Sequence, residues 1–125
     1  MIRGQKVFWT DHAKIKMRQY GLSKSKLMQI LTNPERQEEG IVPGTIAVMQ
    51  TKKVYPSRVA VTVKPGLAKK PAGEIWLMYT KLKKPVVAIK IISAWRYPGI
   101  SKPNERIPIP EDIRQELVTY QHAEF

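Results

Sequence analysis

Trp9-Thr10-Asp11-His12-Ala13-Lys14-Ile15-Lys16-Met17-Arg18-Gln19-Tyr20-Gly21-Leu22-Ser23 is the stretch that decides the fold of this 125-residue chain. Thr10 or Asp11 can accept a backbone N–H and open a helix over His12 to Tyr20. At 100° per residue, Ala13, Met17 and Tyr20 share one face and His12 and Lys16 border it. Lys14 and Arg18 fall on the opposite, wet side. Gly21 adopts positive φ without a Cβ penalty and suits the helix stop. Ser23 can cap a second helix, Lys24 to Thr32, whose apolar stripe is Leu27, Ile30 and Leu31. Asn33-Pro34 ends it, because the residue before proline avoids the α region. The stretch therefore predicts a tight αα-hairpin.

Outward from the hairpin, Lys6-Val7-Phe8-Trp9 reads as a short first strand. Glu35 to Val42 and Thr45 to Gln50 read as strands flanking Pro43-Gly44, a pair suited to a type II turn. A long insertion, Lys52 to Gly73, holds a further strand candidate, Val59 to Val63. Its Pro65-Gly66 and Lys69-Lys70-Pro71-Ala72-Gly73 read as an exposed basic loop. Two clear strands follow, Glu74 to Leu82 and Val86 to Trp95, joined through Lys83-Lys84-Pro85. Strict alternation puts Val87, Ile89, Ile91, Ser93 and Trp95 on a core face. It turns Ala88, Lys90, Ile92, Ala94 and Arg96 toward water or a ligand.

Tyr97-Pro98-Gly99 stops the sheet, and the proline-rich Ser101 to Pro110 reads as extended. Pro110, Glu111 and Asp112 suit the start of a last helix with a stripe of Ile113, Leu117 and Tyr120. The expectation is one α+β domain over residues 1–125. Its core spans about 5–97, and an extended linker and C-terminal helix fill 98–125. The N-terminal strand and αα-hairpin would pack on an antiparallel sheet.

Composition narrows the chemistry. The chain has no cysteine, which excludes disulfide scaffolds, thiolate metal sites and cysteine nucleophiles. No apolar run is long enough to span a membrane. Met1 to Lys6 lacks the apolar core of a signal peptide, so a cytoplasmic protein is expected. Net charge is +12, from 22 Lys and Arg against 10 Asp and Glu. Thr51 to Lys90 holds ten basic residues and a single acid, Glu74. A single-sign block of this kind suits a phosphate backbone, because each neutralised phosphate releases counterions. The same lysines also suit a solvated surface.

The front of the chain resembles a known family. His12-Ala13-Lys14-Ile15-Lys16-Met17, then Tyr20-Gly21-Leu22-Ser23, then an apolar helix ending at Asn33-Pro34, looks like the start of small prokaryotic proteins classed as a domain of unknown function. That family is similar to the RelE/ParE-like toxin superfamily. The resemblance implies an αα-hairpin on an antiparallel sheet and a toxin that cleaves mRNA or targets gyrase. It also implies neutralisation by an acidic antitoxin. RelE-type members bind RNA, including ribosome-associated mRNA, through Lys and Arg on the sheet face. They cleave it by 2′-OH attack without a metal. The Lys52–Gly73 insertion and the Trp95-Arg96-Tyr97-Pro98-Gly99 ending depart from that pattern.

Metal-free RNA cleavage needs a base, a cation for the phosphorane charge and an acid for the leaving oxygen. His12 titrates near neutrality and fits base or acid. Lys16, one turn on, can hold a phosphate, and Arg96 can clamp one bidentately. Tyr79 and Tyr97 can donate protons or stack on bases. The catalytic candidates are thus His12, Lys16, Tyr79 and Arg96. Candidates for holding nucleic acid are Lys52, Lys53, Arg58, Lys69, Lys70, Lys83, Lys84, Lys90 and Tyr97. Structural roles compete with these: His12 as a cap partner, Trp95 as core, the lysine pairs as solubility. His12 and His122 are far apart and belong to no ligand-spaced cluster, so neither a metal nor another cofactor is expected. Three readings follow: an RNA-binding endoribonuclease, a non-catalytic RNA- or ribosome-binding module, and a protein-interaction domain whose Ile100 to Phe125 tail docks on an acidic partner.

Overall fold

The computed structural model describes residues 6–54, 70–83, 87–102 and 106–121. In chain order the elements are β1 (Lys6–Trp9), α1 (Asp11–Tyr20), α2 (Lys24–Thr32), β2 (Arg36–Glu39), β3 (Thr45–Val54), β4 (Lys70–Leu82), β5 (Ala88–Tyr97) and α3 (Glu111–Gln121). The hairpin forms for the reasons its sequence suggests. Thr10 caps α1 by accepting from Ala13 N–H, and Ser23 caps α2 by accepting from Lys26 N–H. Gly21 sits at φ 66° and donates its N–H to Arg18 O, while Leu22 N–H reaches Met17 O. Those two bonds satisfy carbonyls that the last turn of α1 would otherwise leave open.

The strands form one five-stranded sheet in the order β1-β5-β4-β3-β2. β2, β3, β4 and β5 pair antiparallel, but β1 pairs parallel to β5. The sheet is therefore mixed and not antiparallel throughout. A parallel neighbour needs a crossover, and here the whole chain from α1 to β4 supplies it. Gly44, at φ 83°, sits in the turn closed by Thr45 N–H to Val42 O. The β3 and β4 strands run well into the Lys52–Gly73 insertion. Its Val59 to Val63 strand candidate and the Pro65-Gly66 loop lie outside the described residues.

β5 departs from strict alternation. Met78 pairs with Ser93, whereas Tyr79 pairs with Ile91, so Ile92 is an extra residue in β5. Such a bulge re-phases every side chain beyond it. Ile89, Ile91 and Ala94 join the core under the hairpin, with Ala13, Leu27, Ile30 and Leu77. Ile92 and Trp95 join a second core with Trp76, Met78, Ile113 and Leu117. Two expectations are corrected. Trp95 lies on the face opposite Ile89 and Ile91. Ala88, Ile92 and Ala94 are buried and face neither water nor a ligand.

The second core explains itself chemically. Trp76 and Trp95 stack with ring centroids 6.2 Å apart and planes 5° from parallel. Both are fully buried, so a cover is needed on that face too, and Ile113 and Leu117 of α3 provide it. Each such aliphatic side chain contributes roughly 1.5–3 kcal/mol on burial. The sheet thus carries the hairpin on one face and α3 on the other. β1 reaches only Ile91 along β5. Beyond it α1 flanks β5: Thr10 N–H and Oγ1 bond to Ile91 O and Ile92 O. Tyr20 touches both cores.

Ser101 pins the extended segment before α3. Its N–H and hydroxyl donate to the buried Glu74 carboxylate at 3.0 and 2.7 Å, and Trp76 Nε1 donates to the same group at 3.0 Å. Arg36 Nη1 donates to Ser101 Oγ at 2.7 Å and the guanidinium lies over the Trp76 ring. A buried carboxylate with three donors is satisfied, and it ties Ser101 to β4.

Candidate functional site

His12 and Lys16 are separated by four residues on α1, so both project from one side of the helix. Asp112 and Glu116 have the same spacing on α3, and the two helices bring these pairs face to face. His12 Nδ1 lies 2.8 Å from Glu116 Oε2, and His12 Nε2 lies 3.0 Å from Ser93 Oγ. Lys16 Nζ lies 2.8 Å from both Asp112 Oδ2 and Glu116 Oε1, and donates to Gln19 Oε1 at 3.0 Å. Gln19 Nε2 also donates to Asp112 Oδ2 at 3.3 Å.

Burial makes this cluster selective about charge. Ser93 is fully buried and Lys16 is 4 % exposed, whereas the two carboxylates are about two-fifths exposed (43 % and 41 %). Desolvation pulls the His12 imidazole below its ordinary range; Glu116 and Asp112 oppose this and Lys16 adds to it. The neutral ring that results can donate Nδ1–H to Glu116 and accept at Nε2 from the Ser93 hydroxyl. Desolvation also acts to lower Lys16, but its hydrogen bonds to Asp112 and Glu116 outweigh it and the ammonium is raised. The Asp112 carboxyl is held low, chiefly by the hydrogen bond from Lys16.

The four catalytic candidates do not converge. His12 and Lys16 are neighbours. Tyr79 is buried in the core beneath the hairpin, and burial raises its phenol. Arg96 Nε donates to Tyr20 O at 2.6 Å and Nη2 to Gly21 O at 3.1 Å. It closes the far end of α1, eight residues and about 12 Å along the axis from His12. Arg96 also lies on the hairpin side of β5 and not on the side of Lys90, because the bulge at Ile92 intervenes. The serine and the two α3 carboxylates were missed. A basic pair and an acidic pair with equal four-residue spacing were the available signal. Among the described residues no group of three His, Asp or Glu side chains is placed to hold a metal ion.

The candidates for nucleic-acid contact scatter differently. Lys52 and Lys83 are exposed and Lys90 is half-buried. Arg58, Lys69 and Lys84 lie outside the described residues, as do the side chains of Lys53 and Lys70. Lys52 instead meets Lys26 of the hairpin, and Tyr97 meets Lys52 and Arg96. Around the Gly21-Leu22-Ser23 joint, one cavity of about 500 Å³ is lined by Lys14, Arg18 and Lys24. A second, of about 260 Å³, is lined by Lys26, Lys52 and Arg96. A third, of about 450 Å³, shares Lys52 and Arg96 and adds Tyr20 and Tyr97. Among the described residues, none of these cations is ion-paired.

Neither a family model, a curated protein nor a solved structure matches the chain. No helix among the described residues is long and apolar enough to cross a membrane.

Proposed function

We propose that this chain is an RNA-binding module of the RelE/ParE-like type that holds RNA by its phosphates and does not cleave it in this arrangement. One contrast carries the reading. The two best acid–base candidates, His12 and Lys16, are bound to carboxylates of α3. Meanwhile Lys14, Arg18, Lys24 and Lys52 stand exposed around the hairpin. The order β-α-α followed by four strands, with β5 beside β1, supports the fold assignment. Ribosome-associated mRNA is the proposed target, and an acidic antitoxin would meet the same cations. Fluorescence anisotropy with labelled RNA tests it. Tight binding that weakens steeply with salt and survives His12→Ala is expected. Affinity no better than that of an unrelated protein of equal charge overturns it.

A second reading has one observation behind it. His12 and Lys16 share Glu116, so displacement of α3 would leave a base and a cation side by side. Metal-free incubation with RNA would then release 2′,3′-cyclic phosphate ends. Turnover no greater than that of His12→Ala rules out the endoribonuclease.

A further inference from the structure

The three cavities at the α1–α2 joint abut. The first two share Gly21, Leu22 and Ser23, and the second and third share Lys52 and Arg96. Together they form one cleft that runs from α1 past the hairpin joint to the end of the sheet at Tyr97. Its walls are cationic: Lys14, Arg18, Lys24, Lys26, Lys52 and Arg96. Among the described residues the one carboxylate lining it, Glu74, is 1 % exposed and already accepts from Ser101 and Trp76. A ligand therefore meets positive charge along the full length of the cleft.

The floor is apolar where Met17, Leu22 and Ile75 line it. Tyr20 and Tyr97 stand at one end. The N-terminus of α2 opens onto the same place. Ser23 caps Lys26 N–H, and by helix geometry the N–H groups of Lys24 and Ser25 have no intrahelical acceptor. They add the positive end of the helix dipole to the lysines. Gly21 leaves the middle of the cleft open, since nothing lies within 4 Å of where its Cβ would be.

Phosphates suit the walls, and the recessed shape selects among phosphate polymers. A duplex keeps its bases stacked inside and offers phosphates on a convex surface. It has no part that would fill an apolar-floored cleft. A single strand can lay its phosphates on the lysines and turn bases onto the apolar floor. We propose that the cleft at the α1–α2 joint is a binding groove for single-stranded RNA, with phosphates on Lys24, Lys26, Lys52 and Arg96 and bases over the apolar floor of Met17, Leu22 and Ile75. This rests on the RNA-binding function above and assigns that function a place and a strand preference. Arg96 has a double part in it. Its Nε and Nη2 hold the end of α1, and the same residue lines two of the three cavities.

The test compares two double variants of the full chain at equal net charge. Lys24→Gln with Lys52→Gln removes exposed cations from the two ends of the cleft. Lys6→Gln with Lys81→Gln removes exposed cations from the opposite end of the sheet, where both lie near Ala88. The probes are a fluorescein-labelled single-stranded oligouridylate and an RNA duplex of equal length, titrated at several salt concentrations. The cleft variant is expected to lose about tenfold or more in affinity for the single strand. Its salt slope should fall by about 1.4, the value for two lost phosphate contacts. The distal variant should lose less than about threefold, and the duplex should bind more weakly than the single strand. Equal losses from the two variants, or equal affinity for duplex and single strand, overturn the groove but leave RNA binding standing. If the unaltered protein binds neither RNA beyond its charge, the functional reading falls and the groove falls with it.

Discussion

Ser93 and His12 are 81 residues apart in sequence, yet Ser93 Oγ lies 3.0 Å from His12 Nε2. With the ring neutral, the Ser93 hydroxyl donates to Nε2 and Glu116 accepts a hydrogen bond from Nδ1–H. Burial enforces the same state. NMR titration of His12, assigned with His12→Gln, should therefore give a midpoint below 6.5. A midpoint at or above 6.5 would sink this picture of the cluster.

The stability profile follows with its sign. Above about pH 6.5 His12 is neutral folded or unfolded and contributes no slope. As pH falls further, the unfolded chain takes up the proton first, so stability is lost from there down to the depressed folded value. Asp112 extends the acid loss, because its folded carboxyl titrates below its ordinary range and its contribution disappears as pH drops through that value. Lys16 acts at the other limit. Its raised ammonium contributes fully below pH 10.5, and that contribution goes as pH climbs through the raised value. Urea midpoints measured across pH should show a plateau falling at both ends. His12→Gln should flatten the fall that begins near pH 6.5.

Removing different members of the cluster should cost unequal amounts. Lys16→Met leaves two carboxylates that are already about two-fifths exposed (43 % and 41 %) and can turn to water, so about 1 kcal/mol is expected. Asp112→Asn with Glu116→Gln leaves a buried ammonium facing neutral amides, and about 2–3 kcal/mol is expected. Urea denaturation orders the two. The reverse order would mean that Lys16 reaches solvent when its partners go.

Arg96→Ala should destabilise by about 1–2 kcal/mol, because the carbonyls of Tyr20 and Gly21 lose their charged donors. Arg96→Lys should recover less than half of that. An ammonium has no fork with which to span two carbonyls. Thermal melting of both variants tests this; equal stability of the lysine variant and the parent would show that charge alone suffices.

Two glycines should respond to alanine in different ways. Gly21→Ala meets no atom but keeps φ at 66°, and costs about 1–2 kcal/mol of backbone strain. Gly40 donates its N–H to Thr45 O in the β2–β3 turn. A Cβ there would collide with the Thr45 side chain and reach 2.8 Å from Met78 Sδ. Gly40→Ala should therefore cost more than Gly21→Ala, by chemical denaturation, although its backbone is unstrained.

Local signals in the sequence were read correctly because local physics decides them. Thr10, Gly21, Ser23, Asn33-Pro34 and Pro43-Gly44 each act within four residues, and each does what its side chain or missing side chain dictates. Two kinds of information were not legible. A one-residue bulge leaves no mark where apolar residues fill both faces in succession, as at Ala88-Ile89 and Ile91-Ile92, so counting by twos misplaced Trp95 and Arg96. The partners of His12 and Lys16 lie about a hundred positions away on α3. Only the equal spacing of Asp112 and Glu116 hinted at them. The scattered lysine pairs suggested phosphate contact, but the abutting cavities gather cations from α1, α2, β3 and β5, and no linear window spans these elements.

The extra residue in β5 also sets where the chain can change length. Loss of one residue from most of β5 would exchange what each side of the sheet sees, sending tryptophan under the hairpin and arginine under α3. Loss of Ile92 alone would restore plain alternation and leave Ala94, Trp95 and Arg96 where they are. The local cost would fall on Thr10, which bonds to the Ile92 carbonyl. When homologous chains are aligned, a gap of one residue belongs at Ile92, and an alignment that puts it elsewhere in the strand will confuse inside with outside.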